Sequence, residues 1–335
     1  MRQSRSILLA FAILTGCNTV IKDFEKYQKA PLLSTEFMPS KEQLQDNTPS
    51  VVVFKFSTDD ANSKNAGIPG IIEDSITQVL VSHKLANIVS RDKAEKLQSE
   101  IMLSEVKKSG SYVGPLVADY AIMGEVGSSS SAVEFVNGSS YTDKDGVTHK
   151  SPDQYKHSAN VSGAIKIYQI PSLKILLSST LAGNSVKYED VKKQSDLEMI
   201  ANLVANKNQS SETKGFDVGL AKNAARNAVQ SSETQIKNFF AKTGYILSKK
   251  EYEGKVIFET TLGIKDGIGQ NDNLMVLQKK SSHNPLTDED EYDQVEIVKA
   301  KIADHNSDTR SWIVIKDQTK ASEIKLGDVV KVFYK

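Results

Sequence analysis

Cysteine occurs once in these 335 residues, at Cys17. No disulfide can form within the chain, so its folded parts must be held by packing. Tryptophan also occurs once, and aromatic residues make up only 7%, which is low for a carbohydrate-binding surface. Past the N-terminus no run approaches the roughly 18 apolar residues of a membrane-spanning helix. Excess charge is lacking as well: Lys+Arg and Asp+Glu stand at 42 each. Nothing in that balance predicts a nucleic-acid partner. The five histidines, His83, His149, His157, His283 and His305, are scattered among polar neighbours with no pair at metal-ligand spacing. They read as solvated, and neither a metal nor another cofactor is expected. No nucleophile, base and orienting group recur in a recognisable pattern, so the chain does not read as an enzyme.

What is present begins at the N-terminus. Arg2 and Arg5 precede an uncharged run from Ile7 to Leu14, too short to span a bilayer and of the size of a secretory signal. Leu14-Thr15-Gly16-Cys17 resembles the bacterial lipobox. The resemblance implies a cut between Gly16 and Cys17, loss of 1–16, and acylation of Cys17. Two or more acyl chains, each worth about 0.8 kcal/mol per buried methylene, give stable anchorage where one would not. Asn18 in place of Asp is similar to the enterobacterial sorting signal for the outer membrane. Residues 17–49 are polar, with Pro31, Pro39 and Pro49 scattered through them. They read as a flexible lipidated tether.

From 50 to 248 the pattern is α/β. Val51 to Phe56 is a β-branched and aromatic strand. Ser57–Pro69 reads as a solvated loop, its Asp59-Asp60-Ala61-Asn62 lacking the bidentate Glu of a calcium loop. Ile68, Ile72, Ile76 and Leu80 recur at helical spacing. Ile88-Val89 is a short strand, Arg91–Lys108 a second helix stopped by Gly110, and Tyr120–Val126 a third strand. Ser162–Tyr168 and Lys174–Leu181 form a hairpin about Pro171-Ser172, and Asp217–Phe240 is a strong helix. Two polar insertions, 127–161 and about 184–214, interrupt this order. In the second, Leu197, Ile200, Leu203 and Val204 suit a soluble helix. Its charges from Lys187 to Glu198 predict that 187–213 stays out of a bilayer.

After a boundary at 248–254, residues 255–335 read as a small all-β domain. Strands are expected at 255–261, 274–278, 295–302, 311–316 and 329–334, separated by Gly and Asp turns; five such strands fit an SH3-like barrel. Gly263 to Gly269 are turn glycines rather than a phosphate loop, because no helix follows them. Asp288–Glu291 reads as a solvated loop, and Trp312 as a barrel core residue.

The stretch 51–245 resembles the curli secretion lipoprotein (CsgG-like) family. The matching residues are Val51-Val52-Val53-Phe54 with Phe56, Asp74-Ser75-Ile76 with Leu80, Val89-Ser90-Arg91, Glu100-Ile101, Ser109-Gly110, Val117–Val126, and the 165–179 hairpin. Ser90 and Val117 depart from the family's commoner Glu and Gly. TolB-like and penicillin-binding-protein-activator domains share the opening half. More loosely, 255–335 resembles the C-terminal barrel of flagellar assembly protein T. The resemblance implies an outer-membrane-anchored, periplasm-facing lipoprotein that forms a homo-oligomeric ring or scaffold. Its setting would be an envelope-spanning assembly, of the secretion-system or flagellar basal-body type, with other envelope-assembly proteins as partners. Two alternatives stand beside this. In one the insertions become membrane hairpins of a secretion pore. In the other the chain is a monomeric regulator of a cell-wall synthesis enzyme.

Overall fold

The computed structural model describes residues 19–44, 48–107, 111–112, 114–191, 216–286 and 288–335. Residues 1–16, the cleavage site at Gly16, Cys17 and the helix expected around 197–204 lie outside the described residues. The chain is mixed α/β and divides into two units. One takes the chain from both ends, up to Asn47 and from Ala241 on; the other is Thr48–Phe240, inserted between them.

In chain order, β1 (Gln28–Ala30) belongs to the first unit. The inserted unit then contributes β2 (Ser50–Val53), α1 (Ala61–Ala66), α2 (Ile68–Ser82), β3 (Asn87–Ile88), α3 (Glu95–Lys107) and β4 (Tyr120–Val136). It continues with β5 (Ser140–Thr142), β6 (Thr148–Lys150), β7 (Gln154–Gln169), β8 (Lys174–Asp190) and α4 (Val218–Phe239). The chain closes the first unit with β9 (Thr243–Tyr252), β10 (Lys255–Thr260), β11 (Asn273–Asn284), β12 (Glu289–Asn306), β13 (Ser311–Ile315) and β14 (Val329–Val332).

The inserted unit is built on a five-stranded sheet of order β3-β2-β4-β7-β8. β2 runs parallel to β3 and β4, while β4, β7 and β8 are antiparallel. Period-2 alternation sends Ala121 and Met123 into one cluster with Leu97 and Ile101 of α3. Ile122, between them, is fully buried on the other face, where α2 and α4 lie. α2 forms because Ile68, Ile72, Ile76 and Leu80 share one buried stripe. Gly67, at φ 69°, ends α1 and starts α2, a left-handed joint that glycine adopts without strain. α4 is capped by Asp217, which accepts from the Leu220 amide at 2.9 Å. Four of its eight buried residues are alanine (Ala221, Ala224, Ala225, Ala228), and there the helix lies very close to β8. A Cβ placed on Gly183 would stand 2.1 Å from the Ala224 carbonyl oxygen and 2.2 Å from the Ala228 nitrogen.

The first unit is a six-stranded antiparallel barrel, β9-β10-β13-β12-β11-β14, closed by β14 on β9. Its core includes Phe258, Leu274, Val276, Ala300, Ile302, Ile313 and Val330. Three expectations are corrected by these two units. The boundary falls at Phe240/Ala241, not at 248–254, because Thr243–Tyr252 is the barrel's sixth strand: Lys249 and Lys250 are ladder residues opposite Phe258 and Ile257. The 17–49 tether is, over its described part, a strap on the barrel. β1 pairs with β9, and Ile21, Tyr27 and Thr35 are buried. The insertion at 127–161 begins by extending β4 and β7 without a break beyond one bulge near Gly127, and Asn184–Asp190 prolongs β8.

Candidate functional site

Two features offer surfaces with more built into them than packing requires, one in each unit. The first is the strap. The Thr19 amide donates to Asn271 Oδ1 at 2.7 Å, and Gln270 Nε2 donates to the Thr19 carbonyl at 3.2 Å. The Ile21 amide reaches Asp304 Oδ1 at 3.0 Å. Phe24 stacks on His305 with ring centroids 4.0 Å apart and meets Trp312 edge-on at 5.4 Å. Lys250 Nζ lies 4.2 Å from the Phe24 ring centre and 5.0 Å from that of Trp312, a cation–π arrangement. Burial pushes the Asp304 carboxyl up, but the Ile21 amide and His305 outweigh it and hold the group below the usual carboxylate range. Farther along, Leu33 and Thr35 exchange backbone bonds with Leu326, and Phe37 packs on Tyr292.

The second feature is an arm of the inserted unit. β4, β7 and β8 continue past the buried part of the sheet, with Val133, His157 and Lys187 in one register row and Phe135, Tyr155 and Glu189 in another. Residues opposite one another share a face. A cleft of about 230 Å³ opens there, lined by Ser131, Val133, His157, Lys187, Glu189 and Asp217. His157 is buried, its Nε2 standing 3.5 Å from Glu189 Oε2 without hydrogen-bond geometry. On the opposite face Lys156 bonds Glu134 at 3.3 Å. The outer parts of β4 and β8 have no strand partner on their free edges among the described residues. At the tip, β5 and β6 form a further two-stranded turn.

The structure places the singled-out residues as follows. All five histidines sit beside carboxylates: His83 by Glu233, His149 by Asp143, His157 by Glu189, His283 by Asp288 and Asp290, and His305 by Asp304. Four of them keep 37–56% of the side chain exposed, as expected of solvated histidines; buried His157 corrects that expectation. Among the described residues no three His, Cys, Asp or Glu groups converge at metal-ligating positions. The Asp59–Asn62 loop is in fact the start of α1. Asp60 accepts from the Ser63 amide at 2.7 Å and from the Ser129 amide and hydroxyl at 3.2 and 3.0 Å. Glu289 to Glu291 belong to β12 rather than to a loop. Gly267, at φ 78°, does end a turn. Trp312 faces away from the barrel core that Ile313 and Ile315 enter, and packs against the strap instead. Arg91 pairs with the buried Glu73 of α2. Burial raises the Glu73 carboxyl, and Arg91 opposes it.

The strap was the feature hardest to see in the sequence. Its one signal is the recurrence of Ile21, Phe24 and Tyr27 every third residue in an otherwise polar stretch.

No family model matches the chain, and no curated protein matches it. Among solved structures it is similar to the hypothetical protein CT253 from Chlamydia trachomatis, at 12% identity over 56% of this chain and 97% of that one. The TM-score is 0.26, a likeness too weak to carry an argument about fold or role.

Proposed function

We propose that this chain is an outer-membrane-anchored, periplasm-facing lipoprotein, acylated at Cys17, that works as a ring or scaffold component of an envelope-spanning assembly. In this reading the inserted unit is TolB/CsgG-like and the barrel SH3-like. The observation that supports it best is the arm. Strands of 16 and 17 residues outrun their helices, and among the described residues the outer parts of β4 and β8 each leave one edge without a strand partner. Unpaired strand edges are templates for pairing with another chain. Two different edges on one protomer suit a head-to-tail contact, which builds a ring when its rotation closes.

The arm's length also favours a second reading, the secretion pore. Residues 128–136, 154–162 and 182–190 each supply a stretch close to the roughly 9–11 residues of a membrane strand. Their chemistry opposes it. Lys187 and Glu189 lie on one face, Glu134 and Lys156 on the other. A Lys at the bilayer midplane costs about 2–4 kcal/mol, so neither face suits lipid.

Negative-stain microscopy of the lipidated protein in detergent, with crosslinking in membranes, tests the proposal. Rings and a crosslinked ladder well beyond a dimer are expected. Phe135→Cys with Glu189→Cys should join different copies, because within one protomer β7 keeps these positions about 9.5 Å apart, beyond disulfide reach. Monomers alone at native abundance would overturn the assembly and favour the monomeric regulator.

A further inference from the structure

We infer that the barrel is held directly at the lipid surface, with the loop bearing Gln270 and Asn271 turned toward the bilayer. The inference rests on the reading of Cys17 as acylated and adds where the anchor delivers the protein. Thr19 is fixed to that loop through both its amide and its carbonyl. Only Asn18 separates Thr19 from Cys17, so their Cα atoms lie no more than about 7.6 Å apart. A free 17–49 tether would instead wander over about 30 Å root-mean-square. The hold on Thr19 is backed by the rest of the strap. Ile21 is buried, Phe24 lies between His305, Trp312 and Lys250, and β1 is in the sheet. An acyl chain entering the membrane therefore carries this barrel loop with it.

The neighbouring loop fits the same placement. The Ile264 amide donates to the Ser307 carbonyl and the Lys265 amide to that of Asp308, both at 3.0 Å, tying the loops together. Ile264 exposes 49% of its surface, which puts an apolar side chain on this loop. On these loops and the adjoining end of β12, Lys265, Asp272, Asp304 and Asp308 give both signs of charge. Charge therefore does not choose this orientation; the short covalent reach from Cys17 does.

Two unique residues make the test direct. Residues 17–335, whose one thiol is Cys17, are coupled through it to a maleimide-headgroup lipid. The vesicles are of phosphatidylethanolamine and phosphatidylglycerol and contain a dansyl lipid. Trp312, the one tryptophan, sits against Phe24 and serves as the energy donor. Strong transfer to dansyl is expected. A flexible 20-residue Gly/Ser insertion after Asn18 leaves the strap intact but adds about 25 Å of root-mean-square reach, and should cut transfer about threefold. The same insertion after Asn47, beyond the strap, should leave transfer unchanged. Weak transfer in the unmodified chain, or equal transfer with the insertion after Asn18, would overturn the inference. Mass analysis of the native N-terminus separates the two readings. Acyl mass on Cys17 supports anchorage in the cell, whereas its absence overturns the lipid reading and apposition in the cell with it, even where the vesicle geometry holds.

Discussion

Gly183→Ala should loosen α4 from the sheet, and the cost can be worked from the contact. The added Cβ would lie 2.1 Å from the Ala224 oxygen and 2.2 Å from the Ala228 nitrogen. Both are backbone atoms, so no rotamer change relieves the clash. Restoring an ordinary separation of about 3.4 Å requires helix and strand to part by roughly 1.2 Å. A radial gap of about 1 Å forfeits a quarter to a half of each dispersion contact it opens. The contacts at risk belong to Ala221, Ala224, Ala225 and Ala228, all fully buried. Overpacking typically costs about 1–3 kcal/mol; with backbone on both sides the upper end, about 3 kcal/mol, is expected. Gly70→Ala is the control, since nothing lies within 4 Å of its Cβ site in α2. It should stabilise by about 0.5–1 kcal/mol through helix propensity. Urea unfolding followed by circular dichroism gives the two signs. Hydrogen exchange locates the first: peptides over 218–239 should lose protection in Gly183→Ala. Unchanged protection there, or two variants of the same sign, would refute the close approach.

Glu105 accepts from Lys166 at 2.6 Å and from the Tyr168 hydroxyl. Burial pushes its carboxyl up, yet these bonds prevail and hold it below its ordinary value. A carboxyl lowered in the fold adds stability above its unfolded pKa, about 4.3, and loses it as pH falls through the folded value. Glu105→Gln should therefore flatten the acid limb of a pH–stability curve, and an unchanged limb would refute it. A fragment of 255–335 should not fold by itself, for it lacks β9 and β1, whereas 19–44 joined by a flexible linker to 241–335 should give a cooperative β-sheet unfolding transition. Under the proposed lipoprotein reading, cysteines at Glu134, Lys156 and Lys187 should all react with a membrane-impermeant reagent once the periplasm is opened. Protection alternating with period two would restore the pore.

The helices and the strand centres were legible because they follow from local rules. Ile68, Ile72, Ile76 and Leu80 mark a stripe at helical spacing, and the alanines after Asp217 mark another. Pairings beyond the core were not legible. Ser128 to Ser131 carry little hydrophobic signal, yet they continue β4 because β7 lies opposite them at every step, Ser129 with Val161 and Ser131 with Ala159. β9 was hidden for a related reason. Ser248, Lys249, Lys250 and Glu251 have no apolar period, but their backbone groups complete a ladder, and aliphatic stems can cover apolar surface beneath charged heads. Trp312 was placed on the wrong side of its strand because alternation says that Trp312 and Ile313 face opposite ways, not which way is inward. The strap on its outer face, supplied from the other end of the chain, gives it a second apolar surroundings that no local window contains.

That strap is joined to its seat across almost the whole sequence. Thr19 and Asn271 are 252 positions apart, and the inserted unit lies between them. Loop-closure entropy disfavours such a contact until its docking surface exists as a rigid body. The surface is the closed barrel, and β14 is the strand that closes it, bridging β11 and β9. β14 is also the last element of the chain. The strap should therefore lock only after β14 has paired. Deleting Val329–Lys335 should leave Lys22, Lys26 and Lys29 open to trypsin, while in the full chain burial of Ile21 and Tyr27 and the pairing of β1 keep these sites from adopting an extended protease-bound form. Circular dichroism checks that the inserted unit keeps its helices in the truncated chain. If those three lysines resist cleavage equally with and without β14, the strap holds without the closed barrel and the dependence argued from its long-range contacts is wrong.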